Sequence, residues 1–278
     1  MDNELRKRVL PVGWYPGTKE EVIKQFSKWD SKKEPKNNKI KAIIVPHAGW
    51  YYSGEISFQA FSYLDAKIDT LVVAGGHLGE KDPPLIAKNK YFDATIGNIE
   101  NDIELISYLS EKFDFYEDIY PDNTIEIQLP IVKYFLPECK IIWIRIPPDY
   151  NVVSKIAEAI RNYATENNKK IAVAGSTDLT HYGSNYGFQP QGRGEKGLQW
   201  VKNVNDKEFI EYISDFKVAE AIAHSKHNFS SCSSGAAALA AQYAVLNNSK
   251  EGSLVTYRTS YDISPADSFV GYASIIYQ

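Results

Sequence analysis

The sequence predicts an α/β fold of three layers, with helices on both faces of a central, mostly parallel or mixed sheet. Short apolar, β-branched runs occur at 42–45 (AIIV), 70–74 (TLVVA), 140–146 (KIIWIRI) and 170–174 (KIAVA). None alternates with polar residues, so each reads as a strand covered on both faces. Helix-period segments lie between them, and alternating strands and helices favour helices packed against a shared sheet. No repeat, low-complexity tract or Gly/Ser-rich linker interrupts the 278 residues, so one domain over 1–278 is expected.

Taken in order, an early helix leads into the charged stretch 31–41 (SKKEPKNNKIK), expected as a solvated loop before the first core strand. Helices are expected over 57–64, 102–112, 124–136 with a kink at Pro130, and 154–166. Beyond residue 200 the chain reads as helical over 206–224 and 231–246. Two closing runs, 253–259 and 268–277, read as strands added to the same sheet.

A formal net charge of −4 provides no basic field for phosphate backbones, which points away from nucleic acid and toward a small molecule, a peptide or another protein. The first ten residues carry charges of both signs and lack the apolar core of a signal peptide, and no apolar run is long enough for a membrane span. Two cysteines, Cys139 and Cys232, rule out a disulfide framework. A reduced cytoplasmic setting is therefore expected.

Ligands of open α/β sheets gather beyond the carboxyl ends of the strands, and three of the five histidines fall there. His47 follows the first core run by two residues, on a turn framed by Pro46 and Gly49. His77 follows the second by three, in Ala74-Gly-Gly-His-Leu-Gly79. Asp178 and His181 follow the fourth in Gly175-Ser-Thr-Asp-Leu-Thr-His-Tyr-Gly183. Imidazoles on rigid turns suit metal ligation or proton transfer, although His47 on its own could equally satisfy hydrogen bonds of the turn. Asp178 and His181 pair an acid with a base, or Asp178 caps a short helix starting at Leu179. Cys232 stands at the expected start of an Ala-rich helix, where unpaired N–H groups would favour a thiolate; the alternative is a small buried hydrophobe. Cys139, opening a core strand, fits that alternative better. Gly192-Arg-Gly-Glu-Lys-Gly197 matches a dinucleotide fingerprint in letters only, since Gln189-Pro-Gln rather than a strand precedes it. It reads as a loop bordering the pocket. Ser176 with the nearby acid and base suggests a hydrolase, but no G-x-S-x-G elbow occurs.

Along nearly its whole length the chain resembles the Memo family. The likeness rests on V-G-W-Y-P at 12–16, V-P-H-A-G-W-Y-Y-S-G at 45–54, G-x-H at 75–77, I-E-I-Q-L-P at 125–130, S-T-D-L-T-H-Y at 176–182, the cysteine at 232 and V-G-Y-A at 270–273. The resemblance implies a fold like that of class III extradiol dioxygenases, a mononuclear iron or copper site held by His47, His77 and Cys232, and Asp178 with His181 as catalytic residues of the pocket. Where dioxygenases of that superfamily use a carboxylate as third ligand, this chain has Cys232, a soft donor that shifts preference toward copper or a differently tuned iron. Many relatives have Glu-His where this chain has Asp122-Asn123, which leaves Glu126 as a candidate residue lining the pocket, together with Trp50, Tyr52 and Tyr182. The expected function is a metal-dependent redox role. Its rivals are cleavage of a catechol-like substrate with His181 transferring the proton, and a pseudo-enzyme that binds a peptide or partner protein through Trp50, Tyr51, Tyr52 and Tyr182.

Overall fold

Residues 4–30 and 40–278 are described by a computed structural model, so nearly all of the expected solvated loop at 31–41 lies outside the described residues. The chain enters through β1 (Leu5–Arg6) and α1 (Lys19–Asp30), then runs through β2 (Ala42–Val45), α2 (Trp50–Phe61) and β3 (Thr70–Gly75). Short strands β4 (Leu85–Ile86), β5 (Tyr91–Asp93) and β6 (Asn98–Glu100) precede α3 (Ile103–Ser110) and β7 (Tyr116–Glu117). Helices α4 (Asn123–Glu126) and α5 (Leu129–Phe135) lead to β8 (Lys140–Arg145), α6 (Tyr150–Glu166), β9 (Ile171–Ser176) and β10 (His181–Tyr182). Helices α7 (Glu195–Trp200), α8 (Asp206–Ser214), α9 (Val218–Asn228) and α10 (Ser234–Leu246) come before the final strands, β11 (Gly252–Thr259) and β12 (Phe269–Tyr277).

The central sheet has the order β10-β12-β2-β9-β3-β8-β4-β7, and a ninth strand, β11, pairs antiparallel with β12. At its middle β2, β9, β3 and β8 run parallel, whereas β12 is antiparallel to β2. Strands β1, β5 and β6 form a second, small sheet.

Alternation within each run explains the missing polar positions. Ile43, Val45, Leu71, Val73, Ile141 and Trp143 bury against Val22 and Phe26 of α1, Phe58 of α2 and Ile131 of α5. Their neighbours Ala42, Ile44, Val72, Ala74, Ile142 and Ile144 bury against α3, α6, α9 and α10 on the opposite face. With both faces covered, period-2 side chains land on apolar surface either way. The three-layer arrangement expected from sequence is thus the one observed.

Several boundaries differ from expectation. Helix α2 begins at Trp50 rather than 57, because Gly49 ends the strand exit and Trp50 donates its N–H to the Trp14 carbonyl at 2.8 Å. The segment 124–136 is two helices, with Pro130 in the first turn of the second rather than at a kink; a residue without an N–H costs least there. The stretch 206–224 breaks after Ser214, where Phe216 adopts a left-handed φ of 61°. The helix containing the Ala-rich run starts at Ser234, so Cys232 precedes it. No helix starts at Leu179; His181 lies instead in β10, paired with Val270. Among the described residues no helix is long and apolar enough to cross a membrane.

Candidate metal centre

The carboxyl ends of β2, β3 and β9 lie side by side, and each releases its polar residue into the same region. Beyond β2, His47 is 1% exposed. Its N–H donates to Asp178 Oδ1 at 2.6 Å, and its Nδ1 lies 3.2 Å from Ser176 Oγ at the end of β9. Gln128 stands behind that serine: its amide donates to the Pro46 carbonyl at 2.7 Å and to Ser176 Oγ at 3.3 Å. Pro46 O accepts only, so the amide NH₂ must face it, and the same NH₂ group then reaches Ser176. The opposite ring nitrogen, Nε2, faces Cys232 Sγ at 3.2 Å.

His77 extends from the glycine-rich end of β3 with φ of 60°. Neither preceding glycine admits a side chain, since a Cβ on Gly75 would strike Thr124 and one on Gly76 would strike Ser233. The His77 ring packs edge-on against His47 with centroids 5.1 Å apart, and its Nδ1 is 3.8 Å from Asp122 Oδ2. That carboxylate caps α4 through the Thr124 N–H and pairs with Arg145 at 3.3 Å. Arg145 is in turn gripped by Asp118 at 3.0 Å. His77 therefore stands on a buried ionic network yet keeps its side chain 41% exposed.

Cys232 is held by main-chain and hydroxyl contacts. Its N–H donates to the Asp178 carbonyl at 3.1 Å, and the following N–H, of Ser233, donates to Thr177 Oγ1 at 3.1 Å. One ligand atom from each of His47, His77 and Cys232 lies within 4.8 Å of the others. Two ligands of a shared tetrahedral ion, each about 2.0–2.3 Å from it, stand roughly 3.5 Å apart. The N₂S donor set lies close enough that a small approach of its atoms could hold one ion.

Electrostatics sharpen this geometry. Burial drives the His47 imidazolium well below its ordinary range, with the charges of His77 and His181 adding to the effect, so the ring is neutral at pH 7 as a ligand must be. Burial pushes the Cys232 thiol up to about 12, and Asp178 adds to that shift. That direction opposes the thiolate expected from a helix start; Cys232 stands before Ser233, the N-cap of α10, rather than in its first turn. Burial also raises the Asp178 carboxyl to about 6, against the opposing pull of His181 and the His47 N–H.

A cavity of about 640 Å³ opens over these groups and is lined by His47, His77, Asp178 and His181 with Asn123, Tyr52, Trp14, Tyr186 and Tyr272. His181 donates its Nδ1–H to the Leu179 carbonyl at 3.1 Å, and its ring meets Tyr186 edge-on. Of the residues expected to line the pocket, Tyr52 does so. Trp50 is buried beneath an adjoining groove, with its indole N–H on the Ile127 carbonyl at 3.1 Å. Tyr182 is buried against Phe269, its hydroxyl on the Gly192 carbonyl at 2.7 Å. Glu126 is buried too; its carboxylate accepts the N–H groups of Val9 and Leu10 at 3.1 and 2.8 Å and the Tyr15 hydroxyl at 3.2 Å. It fastens residues 9–15, which carry Pro11, Gly13 and Trp14 to the cavity wall. The 192–197 segment, expected as a loop, turns helical at Glu195, where α7 begins, and supports Tyr182 rather than the cavity, with Gly197 packed on that ring. Trp14, Tyr186 and Tyr272 were not singled out in the sequence as lining residues; the V-G-W-Y-P and V-G-Y-A motifs were the available signals for Trp14 and Tyr272.

A family model described as "Memo-like protein" matches residues 8–276. A MEMO1 family protein of Thermococcus onnurineus is 31% identical, over 99% of both chains. A MEMO1 family protein of Pyrococcus furiosus is 30% identical over 98% of each. Among solved structures, an uncharacterized protein of Escherichia coli K12 superposes with a TM-score of 0.56 at 7% identity, covering 86% of this chain and 99% of its own. That last likeness concerns the fold alone.

Proposed function

This chain belongs to the Memo family, and on that premise we propose that it is a mononuclear metal-binding protein with His47, His77 and Cys232 as ligands for iron or copper and a redox role. The carrying observation is the convergence of one ligand atom from each side chain within 4.8 Å, beside a cavity able to admit a small molecule. When bound, iron or copper would supply a one-electron couple and a Lewis-acidic position; imidazole and thiolate ligands suit both. The chain's own residues prepare that site. Ser176 and Gln128 orient His47 so that Nε2 is turned toward Cys232. His181 and Asp178, both lining the cavity, stand where a proton of a bound molecule can be held or moved.

Metal analysis after anaerobic purification tests this reading. Near-stoichiometric iron or copper is expected in the wild type and little in His47→Ala or Cys232→Ser, with unchanged circular dichroism. A metal-free wild type, or variants that keep the metal, would refute it.

A second reading, oxygen-dependent cleavage of a catechol-like molecule, draws support from His181. With Nδ1 engaged by the Leu179 carbonyl, its Nε2 remains for a substrate proton. Oxygen uptake by the iron-loaded protein across a catechol panel checks it, and silence across the panel counts against it. The peptide-binding reading called on four aromatic side chains, of which Trp50 and Tyr182 are buried. Tyr51 and Tyr52 alone remain for it.

A further inference from the structure

The three proposed ligands do not all face the same space. His47 and His77 line the 640 Å³ cavity, whereas Cys232 lines a second pocket of about 300 Å³. His181 and Tyr186 line both, so the two spaces adjoin there. Apart from Cys232, His181 and Ser231, the second pocket is walled by Tyr186, Phe188 and Phe229 with Gly187. One end of a ligand would thus meet hydrogen-bonding groups and the other aromatic rings.

Two features mark the smaller pocket as preformed. Residues 183–188 close on themselves, with the Gly183 N–H on the Phe188 carbonyl at 2.7 Å and left-handed φ at Gly183 and Gly187. This short loop therefore presents Tyr186 and Phe188 in fixed places. On the facing side Phe229 ends α9 at φ 50°, a backbone region that bulky residues rarely adopt, and remains 62% exposed while packing on Phe188 at 5.1 Å. The exposed Phe229 ring borders the pocket and gives it an apolar wall. The core does not need it.

We infer that the 300 Å³ pocket is an apolar subsite, and that the molecule taken at this centre is bipartite: a polar, metal-seeking head joined to a flat apolar arm that passes His181 and Tyr186 and lies against the packed rings of Phe188 and Phe229. This rests on the metal-binding reading for the head and on the pocket alone for the arm, so two arms of one experiment separate them. In the metal-free protein, 2-naphthol is the probe. It is expected to bind, and at least five-fold more weakly in Phe229→Ala, whose exposed ring can be removed without opening the core. In the iron-loaded protein, acetohydroxamate and 2-naphthohydroxamate share one chelating head. The naphthyl compound is expected to bind on the order of ten- to a hundred-fold more tightly, as burial of a large apolar group allows. That preference should fall away in Phe229→Ala and Phe188→Ala while acetohydroxamate binds as before. No binding of 2-naphthol, indifference to Phe229→Ala, or equal affinity for the two hydroxamates would overturn the subsite. Failure to take up iron with 2-naphthol binding intact would overturn the metal-seeking head and leave the apolar pocket standing.

Discussion

At the scale of single residues, the centre depends on groups that never touch the cavity. Ser176 is fully buried, and its hydroxyl has His47 Nδ1 on one side and the Gln128 amide on the other. Outer partners of this kind fix the ring orientation and tautomer of a ligating histidine, and their loss typically weakens metal binding ten- to a hundred-fold. Ser176→Ala is therefore expected to reduce metal affinity by about that factor with little change in folding, as read by competition with a chelator of known strength. An unchanged affinity would show that His47 needs no such support. The histidines of the proposed site were legible in the sequence as strand-exit residues, because few residue types ligate metals and these fell beyond core strands. Ser176 and Gln128 were not legible as partners of His47: a serine and a glutamine 48 residues apart carry no signal that one hydroxyl joins them. Glu126 shows the same limit, since its partners are main-chain N–H groups and one phenol more than a hundred residues away.

At the scale of elements, the close approach of α10 to the sheet depends on small side chains. Gly235 and Ala236 to Ala238 are fully or almost fully buried on that helix. A Cβ on Gly175 of β9 would run into the Ala236 carbonyl, so glycine is required by the packing rather than by any unusual φ. Gly175→Ala should cost about 1–3 kcal/mol or more, as overpacking of a filled core does. A urea midpoint equal to that of the wild type would contradict this. Long apolar runs made the central strands readable from sequence to within one or two residues. Strands β4, β5, β6 and β7 escaped because two or three residues carry no period. The breaks in 124–136 and 206–224 escaped because amphipathic spacing continued across them and tertiary packing decided where each helix stopped.

At the scale of the whole molecule, buried carboxyls set how stability responds to pH. Asp206 is completely buried at the start of α8, accepting the Thr180 N–H at 3.0 Å and the Tyr257 hydroxyl at 2.7 Å. Burial raises its carboxyl from 3.8 to about 7 despite those donors. The unfolded chain releases this proton near pH 4 and the folded chain near pH 7, so between them the folded state binds more protons. Stability contributed by Asp206 is therefore full below about pH 4, declines as pH rises through that window, and is lost above it. A three-unit difference corresponds to something on the order of 4 kcal/mol. Wild-type protein should consequently unfold at a lower urea concentration at pH 8 than at pH 5, and Asp206→Asn should shrink that gap. Asp178, raised in the same direction, keeps it from vanishing. An undiminished gap in Asp206→Asn would assign the pH response elsewhere.

The carboxylate of Glu126 has a consequence for how the cavity comes into being. It ties residues 9–15 to a helix 111 to 117 positions further along the chain, and those early residues supply one wall of the space above His47 and His77. During synthesis this wall leaves the ribosome long before its anchor exists. Contacts of such long separation carry a large closure entropy and favour late formation. The sheet and its histidines can therefore assemble as an open shelf that gains this wall when the amino-terminal segment docks.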